Sequence, residues 1–429
     1  MNAGRSLALL ALLSFPVLTL AAAGKDAKAL AAATAARSSQ LALLEQIVNI
    51  DSGTGDVDGG RRVADVLTAR LKALGMTVES VPAEEAGLPA NIVATLAGKG
   101  SGLNEGTEAT AGRAKSSGPA RILMIGHLDT VFEPGTAQRR PFHSDGRRAY
   151  GPGVADEKGG VVQGLYALQI LHDLGFTNFR QIVFLIETSE ERGSPGTHAL
   201  IARLLKDADV ELNLEPGDLP DALTVWRKGA ATFHIDVKGR AAHAGVAPQD
   251  GRNAALELVH QIAGLEAFPK SGTGLTVNLT VLKAGTRSNI IPADASAQVN
   301  VRVREMAGFD EVEQALRKNA ATTVIPDTTV TITREPAYPP LPQNAATDKL
   351  AALAQGIYAG IDRKLTTTGN GGGSESALAN QAGVPALDGL GPAGGGFHSD
   401  DEFIELDTVT PRLYLLTRML MELGPKGPR

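Results

Sequence analysis

The chain has 429 residues but no cysteine, and only 4% of its residues are aromatic. Without cysteine it can form no disulfide, carry no lipid-modified cysteine after an export signal and offer no thiolate to a metal. Any metal ligands must therefore come from histidine, aspartate and glutamate. Long basic runs are also absent and the net charge is −6, so nucleic acid and anionic membranes are poor candidate partners.

A long apolar run occurs at the N-terminus, and no second one follows. Arg5 precedes the apolar stretch 7–20, and three alanines at 21–23 come after it. A positive residue, an apolar stretch and a small-residue cleavage site predict a signal peptide over residues 1–23. The stretch is short for a membrane span, although a retained anchor is the alternative interpretation. We expect an exported protein, periplasmic or secreted, with no membrane contact after cleavage.

Predicted strands and helices alternate through the first half of the mature chain, which is typical of a sheet covered by helices. The 99–119 segment is rich in Gly, Ser, Thr and Ala without periodicity, and this composition indicates a flexible surface insertion. The predicted helices are 25–49, 61–74, 158–174 and 197–205, and the predicted strands are 76–81, 91–96, 122–125, 181–186 and 210–214.

The pattern changes after residues 227–229. Four strands and two helices in this order predict a small α+β sandwich inserted into the larger domain. We therefore expect an α/β fold in which 24–227 and 336–429 form a catalytic domain with a central mixed sheet flanked by helices, and 228–335 form the insert. The predicted strands of the insert are 231–237, 275–282, 295–304 and 328–333, its helices are 254–265 and 310–318, and the chain ends in a helix at 407–423.

Candidate chemistry begins at "GHLDTVF", where His127 and Asp129 follow the apolar run 122–125. Four apolar residues bounded by glycine predict a strand buried on both faces. Ligands of open α/β sheets gather at the carboxyl ends of such strands, so the two polar side chains lie where chemistry is usually placed. The alternative is a polar strand end at which Asp129 merely starts a turn.

Further acids and histidines occupy strand ends or loops elsewhere. Taken singly, each has a plain structural explanation: an exposed histidine usually binds nothing, and a Glu-Glu pair usually begins a solvated helix. Their joint occurrence in a chain with only 8 histidines favours a two-metal hydrolytic site built from nitrogen and oxygen ligands. The residues are Asp156 in "GPGVADEKGG", Glu190 and Glu191 in "SEERGS", Glu215 in "LEPGD", His243 in "AAHAG" and His398 in "FHSDDEF".

Two adjoining metal ions require a bridging carboxylate and further ligands on each ion. Asp156 could bridge, with His127 and Glu215 holding one ion and Glu191 and His398 the other.

Glu190 and Glu191 are neighbours, and neighbouring side chains of an extended backbone point in opposite directions. While Glu191 binds metal, Glu190 could face the bridging water as a general base. Asp129 is well placed to accept the other N–H of His127 and so to fix the ring's tautomer.

These motifs resemble the dizinc family of aminoacylases, dipeptidases and carboxypeptidases, and in particular the bacterial glutamate carboxypeptidases that cleave folates. The likeness extends from about residue 40 to the C-terminus. It rests on the stretches "GHLDTV", "GPGVADEKGG", "SEERGS", "LEPGD", "AAHAG", "GTRSNIIPA", "VNVRV", "GGGSESALA" and "FHSDDEF".

The resemblance implies two zinc ions per subunit on the five ligands named above, with Glu190 as base and Asp129 as the orienting acid. It also implies a homodimer made through the inserted domain. His243 would then reach the scissile carbonyl oxygen of the partner subunit's site. The substrate's terminal carboxylate would be bound by Asn289 and Arg302, and the loop that shapes the pocket would contribute Gly372 and Ser374 as further substrate-binding residues.

The chain departs from the folate-cleaving pattern in three places. The segment 101–117 is extra, and Trp226, Arg227 and Lys228 stand where small or hydroxyl residues are expected. In "TREPAYPP" only Arg334 is available as a second pocket arginine. These departures concern the choice of substrate rather than the metal chemistry.

The sequence thus predicts an exported zinc carboxypeptidase that cleaves the amide to a C-terminal amino acid, with glutamate favoured, in N-acyl or peptidyl substrates. An N-acyl amino-acid deacylase or dipeptidase is the alternative within the enzyme class. A non-catalytic periplasmic amino-acid or peptide binder is a more remote one, because the ligand positions and Glu190 are all present.

Overall fold

The computed structural model describes residues 24–99 and 118–428. The predicted signal peptide and nearly all of the predicted 99–119 insertion lie outside the described residues. Within those residues, no helix is both long enough and apolar enough to cross a membrane.

The first part of the chain alternates helices and strands up to residue 227. Its helices are α1 (Ala27–Val48), α2 (Val57–Ala73), α3 (Thr136–Arg139), α4 (Lys158–Asp173) and α5 (His198–Asp207). Its strands are β1 (Thr77–Val81), β2 (Asn91–Ala97), β3 (Arg121–His127), β4 (His143–Ser144), β5 (Arg148–Tyr150), β6 (Gln181–Glu187), β7 (Val210–Asn213) and β8 (Ala222–Arg227).

The second part forms its own sheet, and the chain then returns to the first. The second part comprises β9 (Gly229–Lys238), β10 (Ala242–His243), α6 (Ala254–Ala263), β11 (Thr276–Ala284), β12 (Ile290–Ile291), β13 (Asp294–Val303), α7 (Ala307–Ala320) and β14 (Thr329–Tyr338). The returning part comprises α8 (Ala345–Ala359), β15 (Thr366–Asn370), α9 (Ser376–Gln381), β16 (Ala386–Leu387), β17 (Gly394–Gly395), β18 (Phe403–Glu405) and α10 (Leu406–Leu423).

The main sheet has the strand order β1-β2-β6-β3-β7-β16. Strands β6, β3, β7 and β16 run parallel, whereas β1 and β2 are antiparallel to their neighbours, so the sheet is mixed as predicted. Alternate residues of β3 enter cores on opposite faces: Ile122 and Met124 join the core with α1, α4 and α10, and Leu123 and Ile125 join the core with α5. This explains why the strand reads as a continuous apolar run.

The second sheet has the order β11-β13-β9-β14, and every neighbouring pair is antiparallel. The two central strands, β9 and β13, alternate: Phe233, Ile235 and Val299 pack under α6 and α7, whereas His234 and Asn300 point to the opposite face. The predicted order of four long strands and two helices is present. The sheet places a polar face beside the carboxyl ends of the main sheet.

Two elements differ from the sequence prediction for physical reasons. Helix α2 begins at Val57 rather than at residue 61, because the carboxylate of Asp56 accepts the backbone N–H of Gly59 and caps the helix. Gly60, a poor helix former by propensity, packs so tightly that a Cβ there would lie 2.7 Å from Cγ of Pro89. Strand β8 was not predicted, because Thr224 interrupts its apolar residues and Arg227 and Lys228 follow them.

Candidate active site

Two groups of potential metal ligands meet at the carboxyl ends of the main sheet. The first comprises His127, Asp156 and Glu215, and the second comprises Asp156, Glu191 and His398. Within each group the ligand atoms lie within 4.8 Å of one another. Asp156 belongs to both groups, so its carboxylate occupies the position of a bridge.

His127 ends β3 and is fully buried. Its Nδ1 lies 3.0 Å from the backbone carbonyl of Asp129, which can only accept, so Nδ1 carries the proton and donates it. In the neutral ring the other nitrogen, Nε2, then offers its lone pair to a metal ion; it lies 3.1 Å from Asp156 Oδ1 and 3.5 Å from Glu215 Oε1. The carboxylate of Asp129, which we expected to orient this ring, lies further away, with Oδ1 at 3.4 Å from Nδ1.

The carboxylate of Asp129 instead binds the turn that follows β6. It accepts the backbone N–H groups of Glu190 at 3.2 Å and Glu191 at 3.4 Å, and the hydroxyl of Thr54 at 2.6 Å. Glu190 and Glu191 lie in a 3-10 turn and not in the extended backbone we expected. The two side chains still diverge: Glu190 Oε2 lies 3.9 Å from His127 Nε2, whereas Glu191 Oε2 lies 3.1 Å from His398 Nε2.

His398 closes the second group from a loop, with a left-handed backbone (φ 59°). Its Nε2 lies 3.3 Å from Asp156 Oδ2. Four residues later, Glu402 is buried and its carboxylate accepts the backbone N–H groups of Gly153, Ala155 and Asp156 at 2.9 to 3.0 Å. One loop therefore supplies a ligand and also holds the loop that carries the bridging residue.

Close packing sets the distance between these segments. A Cβ on Gly160, in the first turn of α4, would lie 1.9 Å from the backbone oxygen of Leu214. Since real Cβ atoms do not approach a backbone oxygen so closely, only glycine lets the start of α4 rest against the end of β7. Asp156 and Glu215 flank this contact, so the contact fixes how far apart they lie.

The electrostatics of the cluster call for added positive charge. Burial raises the pKa of Glu190 well above its usual range, raises that of Glu215, and raises that of Glu191 to about 8. Carboxylates crowded together out of water are costly unless cations offset them. Nitrogen and oxygen donors in this arrangement suit divalent zinc, so the residues present fit a two-metal site.

A cavity of about 690 Å³ opens from these ligands toward the polar face of the second sheet. Arg302 and Gly372, both predicted to bind substrate, line it. Ser374 does not: its side chain is fully buried and donates to Asp388 at 2.5 Å. The structure therefore gives Ser374 a supporting position behind the loop, and the predicted direct contact with substrate is corrected.

His243 and Asn289 lie outside this cavity. His243 is exposed on β10, which pairs with β12 next to Asn289. Its Nδ1 accepts the backbone N–H groups of Gly245 and Val246, both at 3.1 Å. In the neutral ring the proton must then be on Nε2, which points this nitrogen outward as a hydrogen-bond donor.

The interpretation of Arg334 as a second pocket arginine is wrong. Its guanidinium binds Asp310 at 2.8 Å on the helix-covered side of the second sheet. Because neighbouring residues of a strand face opposite ways, Glu335 lines the cavity instead, where it accepts from His234 at 2.7 Å.

Three residues near the candidate ligands have positions that the sequence did not predict: Glu402, Arg227 and Asp388. Glu402 lies within a motif quoted for His398, so its spacing from that histidine was the available signal. Arg227 had been noted only as a departure, and its buried partner Asp388 lies 161 residues further along the chain. No local pattern connects residues so far apart.

The fold and the two adjoining groups of potential metal ligands are typical of a metal-dependent hydrolase. Residues 123–422 match the sequence profile of Peptidase family M20/M25/M40, and the chain belongs to that family of metallopeptidases. It is 33% identical over 396 residues to Carboxypeptidase G2 from Pseudomonas sp. (strain RS-16), an alignment covering 92% of this chain and 91% of the relative.

Solved structures show the same fold at lower identity. A tripeptidase from Staphylococcus aureus superposes with a TM-score of 0.70 at 20% identity, covering 90% of this chain and 98% of that one. An M20 family metallo-carboxypeptidase from Sulfolobus solfataricus superposes with a TM-score of 0.69 at 17% identity, covering 90% of this chain and 99% of that one. The predicted family and fold class, including the inserted α+β unit, are confirmed.

Proposed function

We propose that the protein is an exported, zinc-dependent carboxypeptidase that hydrolyses the amide bond to a C-terminal amino acid. N-acyl and peptidyl amino acids, including folate-type conjugates, are its substrates, and glutamate is the favoured leaving amino acid. The proposal agrees with the M20 family membership and with the resemblance of the motifs to glutamate carboxypeptidases. The leader over residues 1–23 would direct the protein to the periplasm or outside the cell.

The observation that carries the proposal is the unpaired charge of Arg302. Of the described cations that line the cavity, Arg192 pairs with Glu85, His234 with Glu335, and Arg227 and His398 with carboxylates of the site. Arg302 forms no ion pair among the described residues, and burial together with Arg227 lowers its pKa. A terminal carboxylate would supply the missing charge partner.

His127, Asp156 and Glu215 would hold one zinc ion, and Asp156, Glu191 and His398 the other. When bound, the two ions supply a water of lowered pKa and polarise the scissile carbonyl.

Glu190 supplies the proton transfers. Its carboxylate faces His127 without belonging to either ligand group, and burial raises its pKa well above the usual range of a carboxyl group. It takes the proton of the attacking water and then delivers it to the nitrogen of the departing amino acid.

His243 completes the site from a partner subunit in our proposal. Its Nε2–H is preset as a donor by the backbone N–H groups on Nδ1, and such a donor stabilises the oxyanion that forms at the carbonyl. The insert, residues 228–335, would form the homodimer and also bring Asn289 to the substrate carboxylate. His243 and Asn289 are exposed and lie outside the cavity of their own subunit, which supports this arrangement.

The central test uses substrates in matched pairs. The zinc-loaded protein is incubated with a panel of N-acyl and peptidyl amino acids, each as the free acid and as its C-terminal amide, with products separated by chromatography. Amides leave the half-buried guanidinium of Arg302 without a charge partner in the bound state, so we expect them to lose roughly 2–5 kcal/mol of transition-state binding. Arg302→Gln should remove most of the difference, and a strong chelator should abolish hydrolysis until zinc is returned.

Equal hydrolysis of acids and amides would contradict a carboxypeptidase. Free-acid substrates cleaved without preference for glutamate, with short acyl groups or dipeptides favoured, would instead support the deacylase or dipeptidase alternative.

The dimer proposal has a separate test by complementation. Glu190→Gln and His243→Ala are each expected to be nearly inactive as homodimers. When they are refolded together in equal amounts, half of the dimers are mixed and each mixed dimer has one complete site, so about a quarter of wild-type activity should return. No recovery, with mixed dimers confirmed by native mass spectrometry, would show that His243 acts within its own chain.

A further inference from the structure

Arg227 ends β8 beside the metal-ligand groups and is buried. Its Nη2 donates to Glu215 Oε2 at 3.2 Å, and its Nε and Nη2 donate to the two oxygens of Asp388 at 2.6 and 2.9 Å. Its Nη1 lies 3.4 Å from Oδ1 of Asn370. The planar guanidinium thus uses three nitrogens on three different partners, which a lysine could not do.

The contact divides the two oxygens of Glu215 between different tasks. Oε1 lies 3.5 Å from His127 Nε2, inside the first ligand group, whereas Oε2 is taken by Arg227. A carboxylate that is free to turn can offer a metal one oxygen or both. Here the second oxygen could reach the metal position only if the hydrogen bond to Arg227 were broken.

Asp388 balances the positive charge of Arg227. It is buried, and its two oxygens accept from Arg227, while Oδ2 also accepts from the hydroxyl of Ser374. Arginine and aspartate form a neutral pair, so the negative charge of Glu215 remains available to a metal ion. The same pair connects Glu215 to the loop 370–374, which lines the cavity through Asn370, Gly372 and Gly373.

We propose that Arg227 is a positioning residue of the metal site. It holds Glu215 as a one-oxygen ligand, and through Asp388 and Asn370 it joins the metal site to the cavity loop. This role rests on the zinc chemistry proposed above and adds a determinant of metal affinity that lies outside the ligand set. It also accounts for an arginine where we expected a small or hydroxyl residue.

The test measures zinc binding directly, without substrate. Affinities are obtained by competition with a chromogenic chelator for the wild-type chain, Arg227→Met and Arg227→Lys. Removing a group that holds a ligand typically weakens metal binding by about 10–100-fold, and we expect this loss in Arg227→Met at one of two sites. Arg227→Lys should be intermediate, because a single ammonium cannot bind Glu215 and Asp388 together.

Cobalt-loaded protein offers a second readout. The visible absorption of the bound cobalt should change in Arg227→Met, because Glu215 would then be free to bind through both oxygens.

Arg412 provides a matched control. It is another fully buried arginine, which binds Asp221 at 2.7 Å and the backbone oxygens of Ala222 and Gly389, and it contacts neither ligand group. Arg412→Met should lower the melting temperature and leave zinc affinity unchanged.

Zinc affinity of Arg227→Met within twofold of wild type, with a melting temperature lowered as in Arg412→Met, would overturn the positioning role. If Arg227→Met does not fold, unchanged zinc affinity in Arg227→Lys overturns it equally. Failure of the wild-type chain to bind zinc would overturn the proposed function as well, so the two failures are distinguishable.

Discussion

The two ligand groups share Asp156 but are built in different ways. His127 belongs to a central strand, is 1% exposed and has its tautomer fixed by a backbone carbonyl. The side chain of His398 is 55% exposed, and it stands on a loop in a left-handed conformation. One group is thus part of the core of the sheet, and the other is completed by a loop folded over it. We therefore expect the two ligand groups to contribute differently to zinc affinity and to turnover.

The junction between the groups is itself reinforced. Glu402 accepts the backbone N–H groups of Gly153, Ala155 and Asp156, and Arg227 holds Glu215 from the other side. Hydrogen bonds behind the ligands are what keep a metal site in one geometry. The difference between the groups therefore lies in their histidines rather than in their carboxylates.

The largest effect should come from a residue that belongs to neither group. Glu190→Gln keeps the shape of the side chain but cannot take a proton, so kcat should fall at least about 10²-fold while both zinc ions remain bound. Steady-state kinetics and metal analysis of one preparation check this. Glu191→Gln is the matched neighbour and should lose zinc from the second group. Near-native turnover of Glu190→Gln would place the base elsewhere.

The histidines should differ in their effect on stability. His127→Ala leaves Asp156 and Glu215 buried beside a void, and we expect a loss of roughly 1–3 kcal/mol in the free energy of unfolding. His398→Ala removes a half-exposed loop residue whose contacts with Asp156 and Glu191 are screened by solvent, so its loss should be smaller than that of His127→Ala in the metal-free protein. Chemical denaturation in the presence of chelator measures both, and each variant should retain one zinc ion. Equal destabilisation would remove the distinction between the groups.

The smallest effect concerns pH and the second group. Burial raises the pKa of Glu191 from an ordinary 4.5 to about 8, and hydrogen bonds to Asp156 and Glu191 raise the pKa of His398 from 6.5 to about 11. Both groups bind protons more tightly when folded, so their stabilisation is full at low pH and is lost as pH rises through these values. Metal-free protein should therefore melt at a lower temperature at pH 8 than at pH 5.5.

Zinc replaces those protons, and the increase in melting temperature that it causes should be larger at pH 8. Scanning fluorimetry with and without chelator measures both trends. Glu191→Gln should flatten the pH dependence of the metal-free protein, and an opposite slope in the wild-type chain would contradict the assignment.

The grouping of the candidate ligands could be predicted, because each ends or follows a strand within a short, continuous motif. His127 and Glu215 needed only the rule that parallel strands end at one edge. The role of Arg227 could not be predicted, since Asp388 comes to it by the parallel pairing of β7 with β16. Ser374 was misplaced because a glycine-rich motif does not reveal which of its residues turns inward. The trans role of His243 is still a prediction from the family resemblance.

Gly160 shows where this enzyme can and cannot change. A Cβ at that position would force α4 away from the end of β7, so the spacing between these two segments of the site tolerates no residue larger than glycine. The opposite side of the cavity is the polar face of the second sheet, formed by side chains such as His234, Asn300 and Glu335. We therefore expect substitutions that change the substrate range, in nature or in a mutant library, to occur on this polar sheet face, while the spacing between α4 and β7 stays the same.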